Sequence, residues 1–432
     1  MAHVDDRVSP RVAVIGGGWA GLSAAVTLAK RGRKLTLFEA ARTLGGRARR
    51  VDIDDIALDN GQHILIGAYR ETLAMMRTVG ADPERLLLRL PLDMRYADGF
   101  HMRAPRLPFP LNLAAAMLFA EGLPLGQALA AMRFMRRLEA AGFRVQPDRS
   151  VRQFLDEQDQ RGSVLAHLWE PLCVSALNTP IAHASAQVFA NVLRDGLTGR
   201  RENSDLLVPR VDLGRLLPEP AIAFIRGQGG EVRTGAAIRR IGRDDQGLLL
   251  DEAEERFDRV IVAVGPQHAS ALLADFPALA ATRAAIDALA YEPIVTCYLQ
   301  YPEDVTLPSP MLGFCGGIVQ WVFDRGQLGG PKGLLAAVIS ASGVHEELAR
   351  DALAARIRHE LEGALGTLPA HRMFQVITER RATFSCTPGL ARPGRDTPLP
   401  GLLLAGDYVA SDYPGTLEAA VRSGIAAAQA CA

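Results

Sequence analysis

The segment Arg11-Val12-Ala13-Val14-Ile15-Gly16-Gly17-Gly18-Trp19-Ala20-Gly21 constrains this chain more than any other stretch. Val12 to Ile15 are apolar and mostly β-branched, the pattern of a buried strand. The strand runs into Gly16-x-Gly18-x-x-Gly21, after which Leu22, Ala25, Val26 and Ala29 recur at helical spacing. Strand, tight turn and helix in that order form a phosphate cradle. Gly16 permits the turn, Gly18 lets a pyrophosphate approach the backbone, and Gly21 lets helix and strand pack closely. The helix start offers free N–H groups and a positive dipole end. A second strand, Lys34 to Phe38, ends at Glu39, placed to accept hydrogen bonds from a ribose diol. Together these predict a dinucleotide-binding α/β domain; the turn alone would also suit an unrelated α/β fold.

Just beyond Glu39 lies Gly45-Gly46-Arg47-Ala48-Arg49. The glycines again allow backbone near phosphate, and Arg47 brings a fixed positive charge; the bland alternative is a solvated basic turn. With this pair of glycine turns the chain resembles the flavin amine oxidase and phytoene desaturase superfamily, in which the arrangement binds FAD. The resemblance covers nearly the whole chain. It implies that Asp59-x-Gly61 brings backbone against the flavin ring, with Gln62 and His63 near the isoalloxazine. It implies that Ile238 contacts the adenine, and that Gly406-Asp407, at the end of the strand Leu402 to Leu404, holds the ribityl or phosphate region. The tail Tyr413-Pro414-Gly415-Thr416-Leu417-Glu418 resembles the C-terminal flavin motif, with the N–H groups around Thr416 and Leu417 directed at flavin N1 and O2. A helix start there suits the negative charge of reduced flavin. For His63 and for the C-terminal helix, the alternatives are a satisfied core histidine and an ordinary capped terminal helix.

The expected fold is α/β: a Rossmann-type FAD-binding domain interleaved with an α+β substrate domain, as in amine-oxidase-like flavoproteins. The FAD-binding domain takes 1–90, 204–287 and 386–432, and the substrate domain 91–203 and 288–385. Helices are expected at 111–120, 125–141, 211–226 and 345–365, and strands at 231–233, 259–264, 293–301, 317–324 and 334–340. The 259–264 run suits a central strand buried on both faces. Leu129, Met132, Met135 and Leu138 are read as one side of a helix, with Arg133, Arg136 and Arg137 close by. Such a helix can lie on anionic lipid or simply cover a core; 107–141 is the expected membrane contact. Trp169 to Asn178 resembles segments lining a substrate cavity, with Glu170 open to reading as a helix-start acid.

Composition narrows the setting. Formal net charge is zero, which points away from nucleic acid. Lys30, Lys34 and Lys332 are the only lysines, a genome bias rather than a functional mark. Five cysteines, an odd number without C-x-x-C spacing, suit reduced thiols in the cytoplasm. No metal-ligand spacing stands out. Met1 to Pro10 is polar and does not read as a signal peptide. No apolar run reaches the roughly 18 residues of a spanning helix. The expected location is cytoplasmic or peripheral on the inner membrane face.

The superfamily's branches differ in substrate. Amine oxidases usually carry a lysine where this chain has Thr296 and an aromatic residue where it has Thr416. Arg two residues past the ribose acid is replaced by Ala41, with Arg42 next. The isoprenoid branch fits better, because Leu107 to Leu125 is rich in Pro, Leu, Met and Phe. Asp59 to Tyr69 (DNGQHILIGAY) and the Gly-Asp…Pro-x-Thr-Leu-Glu tail resemble the hydroxysqualene dehydroxylases of bacterial hopanoid synthesis. That resemblance implies an isoprenoid substrate, association with squalene-pathway synthases, and reductive loss of an allylic hydroxyl. Such a reaction needs a general acid; His63 is the first candidate, then Asp412 and Tyr413. A carotenoid desaturase, an amine oxidase and a non-catalytic flavin-bearing lipid carrier are the alternatives.

Overall fold

The computed structural model describes residues 10–53, 56–251 and 253–431. All but the last residue of the polar stretch Met1 to Pro10 lies outside them. Two sheets dominate. The first is five-stranded and parallel, in the order Glu231–Thr234, Leu35–Glu39, Val12–Ile15, Arg259–Val262, Leu402–Leu404. Arg259–Val262 sits between the first strand and one from near the C-terminus, and Val260, Ile261 and Val262 are fully buried. The helix Trp19–Lys30 packs against the C-terminal helix Leu417–Ala430, so the two ends of the chain share one layer.

The second sheet is antiparallel, in the order Met311–Gly313, Trp321–Asp324, Leu334–Ser340, Tyr291–Gln300, Met373–Phe384. Its strands alternate between two faces, as the two-residue period requires. Val295, Cys297 and Leu299 join Leu353, Ile357 and Leu361 of the helix Arg350–Leu365 in one core cluster. Thr296 and Tyr298 face the other way, towards the first domain; Tyr298 donates to Asp59 O at 2.9 Å. Two strands of this sheet, Met311–Gly313 and Met373–Phe384, carry no sequence expectation. Met373–Phe384 is largely half-buried, and Gln375 and the run Glu379-Arg380-Arg381 interrupt its apolar residues, so it lacks the continuous apolar run that marks a buried strand.

Several boundaries differ from expectation for local reasons. The helix expected over 211–226 is two helices, Leu213–Leu216 and Pro218–Gly227. Pro218 cannot donate into a preceding turn, so it opens the second helix at N1. In the helix Leu125–Ala140 the buried line is Ala128, Ala131, Phe134 and Leu138. Leu129 is exposed and Met132 and Met135 are half-buried, so that helix's core face is rotated from the one expected. The five cysteines are free thiols, and only Cys315 is exposed. Among the described residues, no helix is long and apolar enough to cross a membrane.

Candidate functional site: a glycine cradle beside an apolar cavity

The two glycine turns lie against each other. Gly16 has φ +106°, and a Cβ on Gly21 would fall 1.9 Å from Gly16 O, so strand, turn and helix can meet only with glycine there. Gly45 N donates to Gly17 O at 2.8 Å, and Trp19 Nε1 donates to Ala48 O at 3.0 Å. A Cβ on Gly18 would meet nothing nearer than Gly46 Cα at 3.9 Å, which leaves an open slot between the turns. Glu39 is fixed at the end of its strand, where Oε2 accepts from Gly17 N at 2.6 Å and Oε1 from Ala41 N at 2.8 Å. Each oxygen keeps a lone pair for a further donor. Ala236 N donates to Glu39 O at 2.9 Å, which brings the segment carrying Ile238 alongside.

Arg47 ties the two chain ends together. Its guanidinium pairs with Asp407 Oδ1 at 2.5 Å and donates to Ala382 O at 2.6 Å. Burial opposes the charge, but Asp407 outweighs it, and the arginine's pKa is raised. Gly406 N donates to Ser423 Oγ at 3.0 Å. Thr416 caps the C-terminal helix by accepting from Ala419 N at 3.2 Å, which leaves the first N–H of the helix, on Leu417, without an intrahelical acceptor.

Thr296 Oγ1 and Tyr408 OH are two of four buried hydroxyls without a hydrogen-bond partner among the described residues, the others being those of Ser23 and Tyr301. An unsatisfied buried hydroxyl costs about 1–3 kcal/mol, so a polar group of a bound ligand beside Thr296 or Tyr408 would relieve that cost. Thr296 lies against Gly61, with its Oγ1 3.8 Å from where a Cβ on Gly61 would stand. Tyr408 follows Asp407 directly. The open slot, the ribose acid, the Leu417 N–H left over at the helix start and these orphans fit FAD laid along the cradle.

Gln62 and His63 are half-buried beside Gly61. His63 Nδ1 is 2.9 Å from Gly61 O, and burial, reinforced by the charge of Arg47, lowers the imidazole's pKa. The ring is therefore neutral near neutral pH. Asp59 turns away from the cradle; its Oδ1 accepts from Leu213 N at 2.8 Å, and burial raises its pKa to about 6. Arg325, unsuspected from the sequence, is buried beside it. Its guanidinium stands 3.8 Å from Asp59 Oδ2 and donates to Gln62 Oε1 at 3.1 Å.

Next to Thr416 opens a cavity enclosing about 1020 Å³, part of it continuous with solvent. Ile64, Leu92, Met94, Leu172, Met311 and Trp321 supply much of its wall. Asp195, Asp412 and Tyr413 are among its polar lining residues, and Asn191 Nδ2 donates to Asp412 O at 3.1 Å. Tyr413 is hydrogen-bonded to Asp195, and burial together with that carboxylate pushes the phenol up to about 12. The Arg422 guanidinium lies 4.9 Å from the centre of the Tyr413 ring. Asp195 also accepts from Arg194 Nε at 2.7 Å. His63 does not line this cavity. Glu170 begins the helix Glu170–Leu177 and faces Arg152 at 3.9 Å, while Pro171, Leu172, Ser175 and Ala176 of the same segment do line the cavity. Asp195 escaped sequence reasoning, although Asn191, Val192 and Asp195 recur at the spacing of one helix face.

The family of flavin containing amine oxidoreductases matches residues 19–432. A hydroxysqualene dehydroxylase of Rhodopseudomonas palustris is 29% identical over 440 residues, covering 98% of each chain. A zeta-carotene desaturase of Synechocystis sp. is 23% identical, covering 97% of this chain and 96% of its own. Among solved structures, a putative protoporphyrinogen oxidase from Exiguobacterium sp. superposes with a TM-score of 0.69 at 17% identity over 98% of both chains.

Proposed function

The chain belongs to the family of flavin containing amine oxidoreductases, and on that premise we propose that it removes an allylic hydroxyl from an isoprenoid, converting hydroxysqualene to squalene. It is an FAD-dependent oxidoreductase. The observation that carries the substrate reading is the cavity, whose wall is mostly aliphatic and aromatic and includes the linked polar residues Asp195 and Tyr413. A long hydrocarbon matches that wall, and a single oxygen matches that polar pair. The likeness to hydroxysqualene dehydroxylases along almost the whole chain supports the same choice.

Held along the Gly18 slot with Glu39 on its ribose, reduced FAD would supply hydride to the carbon that loses the hydroxyl. The chain's residues supply the rest. The departing hydroxyl needs a proton, and in this reading Tyr413, a lining residue of the cavity, is its donor. Though raised to about 12, the phenol is still a stronger acid than water, so transfer to a departing hydroxide runs downhill. In the resting geometry the phenol gives its one proton to Asp195, so it must turn from that carboxylate to the leaving oxygen, and Arg422 over the ring stabilises the phenolate that results. The apolar wall keeps water from the allylic centre as positive charge develops. His63, neutral and outside the cavity lining, is placed to shape the backbone at Gly61 instead. In this reading the substrate comes from squalene-pathway synthases that associate with the protein, and the product enters hopanoid synthesis.

Desaturation of a carotenoid-type polyene is the second reading, favoured by the full-length likeness to a zeta-carotene desaturase. Anaerobic mixing separates the two. The reduced holoenzyme is expected to be reoxidised by hydroxysqualene with release of squalene, and the oxidised enzyme to be unmoved by phytoene or amines. Flavin reduction by phytoene, or no response to hydroxysqualene, overturns the proposal.

A further inference from the structure

Eight large apolar side chains are exposed among the described residues, and six fall between positions 107 and 129: Leu107, Leu111, Leu118, Phe119, Leu125 and Leu129. Phe119 is 83% exposed just past the helix Leu111–Leu118, and Leu125 is 62% exposed at the start of the next helix. Single exposed apolar residues are ordinary; five in two consecutive helices and their connection, with Leu107 just before them, form a patch. These residues are surplus to the fold, because each helix buries a different face: Ala116 and Met117 in one, Ala128, Ala131, Phe134 and Leu138 in the other.

Charge is distributed to match. Along the second helix Leu125, Leu129, Arg133 and Arg136 follow at helical spacing, so one exposed edge grades from apolar to basic. Arg106, Arg133, Arg136 and Arg137 are exposed and have no carboxylate partner. The acids in the same stretch are Glu121 and Glu139. The patch is also linked through the fold to the cavity wall. The helix Leu111–Leu118 packs on the strand His101–Arg103, which pairs with Asp93–Arg95, and Ala104 N donates to Leu92 O at 2.8 Å. Leu92 and Met94 line the cavity.

We propose that this patch docks the protein on an anionic lipid bilayer. Phe119 and the five leucines enter the boundary between headgroups and acyl chains, and the four unpaired arginines meet the headgroup phosphates. Docking would bring the hairpin that walls the cavity close to the bilayer surface. The contact needs neither substrate nor turnover, so it stands or falls separately from the catalytic reading.

The flavin-loaded full chain is tested by flotation with vesicles of phosphatidylcholine, with and without phosphatidylglycerol. Wild-type protein is expected to float with the mixed vesicles, and less so with phosphatidylcholine alone or in high salt. The double variant Phe119→Ser, Leu125→Ser is expected to partition roughly tenfold or more weakly. The pair Arg133→Glu, Arg136→Glu is expected to lose the preference for phosphatidylglycerol. An unchanged flavin spectrum in both variants excludes misfolding as the cause. Wild-type protein that does not float with the mixed vesicles overturns the proposal. So does a Phe119→Ser, Leu125→Ser variant that floats equally well, or a dimer in solution that this variant abolishes.

Discussion

At residue scale, the site separates groups that act on a ligand from groups that hold the backbone. Tyr413 lines the cavity with its phenol raised to about 12, whereas His63 is neutral and bonded to Gly61 O. Tyr413→Phe is therefore expected to keep FAD and lose about a hundredfold or more in kcat, the range of a lost general acid. His63→Ala is expected to keep FAD and most of the turnover. Rapid-reaction measurement of flavin reoxidation checks both, and the reverse pattern would assign the proton to His63. Asp59 gives a second, independent prediction. Burial raises its pKa from 3.8 to about 6, so the folded state binds the extra proton between those values. Asp59 thus stabilises the fold fully below about pH 4, and that contribution is lost as pH rises through about 6, an effect on the order of 3 kcal/mol. Asp59→Asn has no proton to lose, so its stability relative to wild type is expected to rise across that range. Urea midpoints of both proteins at about pH 4 and about pH 7 measure the difference. Sequence reasoning reached Asp59, Gln62 and Tyr413 because they sit in motifs. It could not reach Arg325 or Asp195, whose partners are distant in sequence or belong to another element.

At the scale of elements, the C-terminal helix is the one that everything else grips. Glu418 is fully buried, accepts from Thr72 N at 2.9 Å and Thr72 Oγ1 at 2.8 Å, and pairs with Arg422 at 2.7 Å. One helix's first-turn acid therefore caps the helix Arg70–Thr78, a role invisible in a linear motif. Gly424 fixes the approach to the helix Trp19–Lys30. A Cβ there would lie 2.0 Å from Ala20 O, a backbone atom that cannot swing aside. Gly424→Ala is expected to cost about 1–3 kcal/mol and to lower the FAD content of purified protein. Gly227→Ala, at a helix end where a Cβ meets nothing within 4 Å, is expected to leave both unchanged or slightly improved. Thermal unfolding and the flavin-to-protein absorbance ratio read the two variants. The broken helix at Leu217 and the unexpected strand Met373–Phe384 mark where local pattern misleads: a proline resets one, and pairing with Tyr291–Gln300 overrides the polarity of the other.

At the scale of the whole molecule, the cofactor site exists only where segments from both ends of the chain coincide. Arg47 meets Asp407, the first glycine turn meets the second, and the last helix closes the layer. A ligand that binds only this assembled state stabilises it by mass action, by about 4 kcal/mol at a thousandfold excess over Kd. Stripping FAD is expected to lower Tm, and added FAD to restore it in a concentration-dependent way. A Tm indifferent to FAD would mean that the cradle is not where the cofactor binds.

What the sequence determined by itself was the cradle and its coenzyme. Glycines in a phosphate turn are dictated by backbone sterics over a few residues, and Gly16, Gly18 and Gly21 declare the structure wherever they occur behind a buried strand. What only the tertiary structure decided was the chemistry of the cavity. Which acid faces it, which histidine does not, and which leucines remain outside depend on helix rotation and on contacts between residues hundreds of positions apart. Local pattern carries no record of either, because burial and pKa are properties of the neighbours that folding assembles.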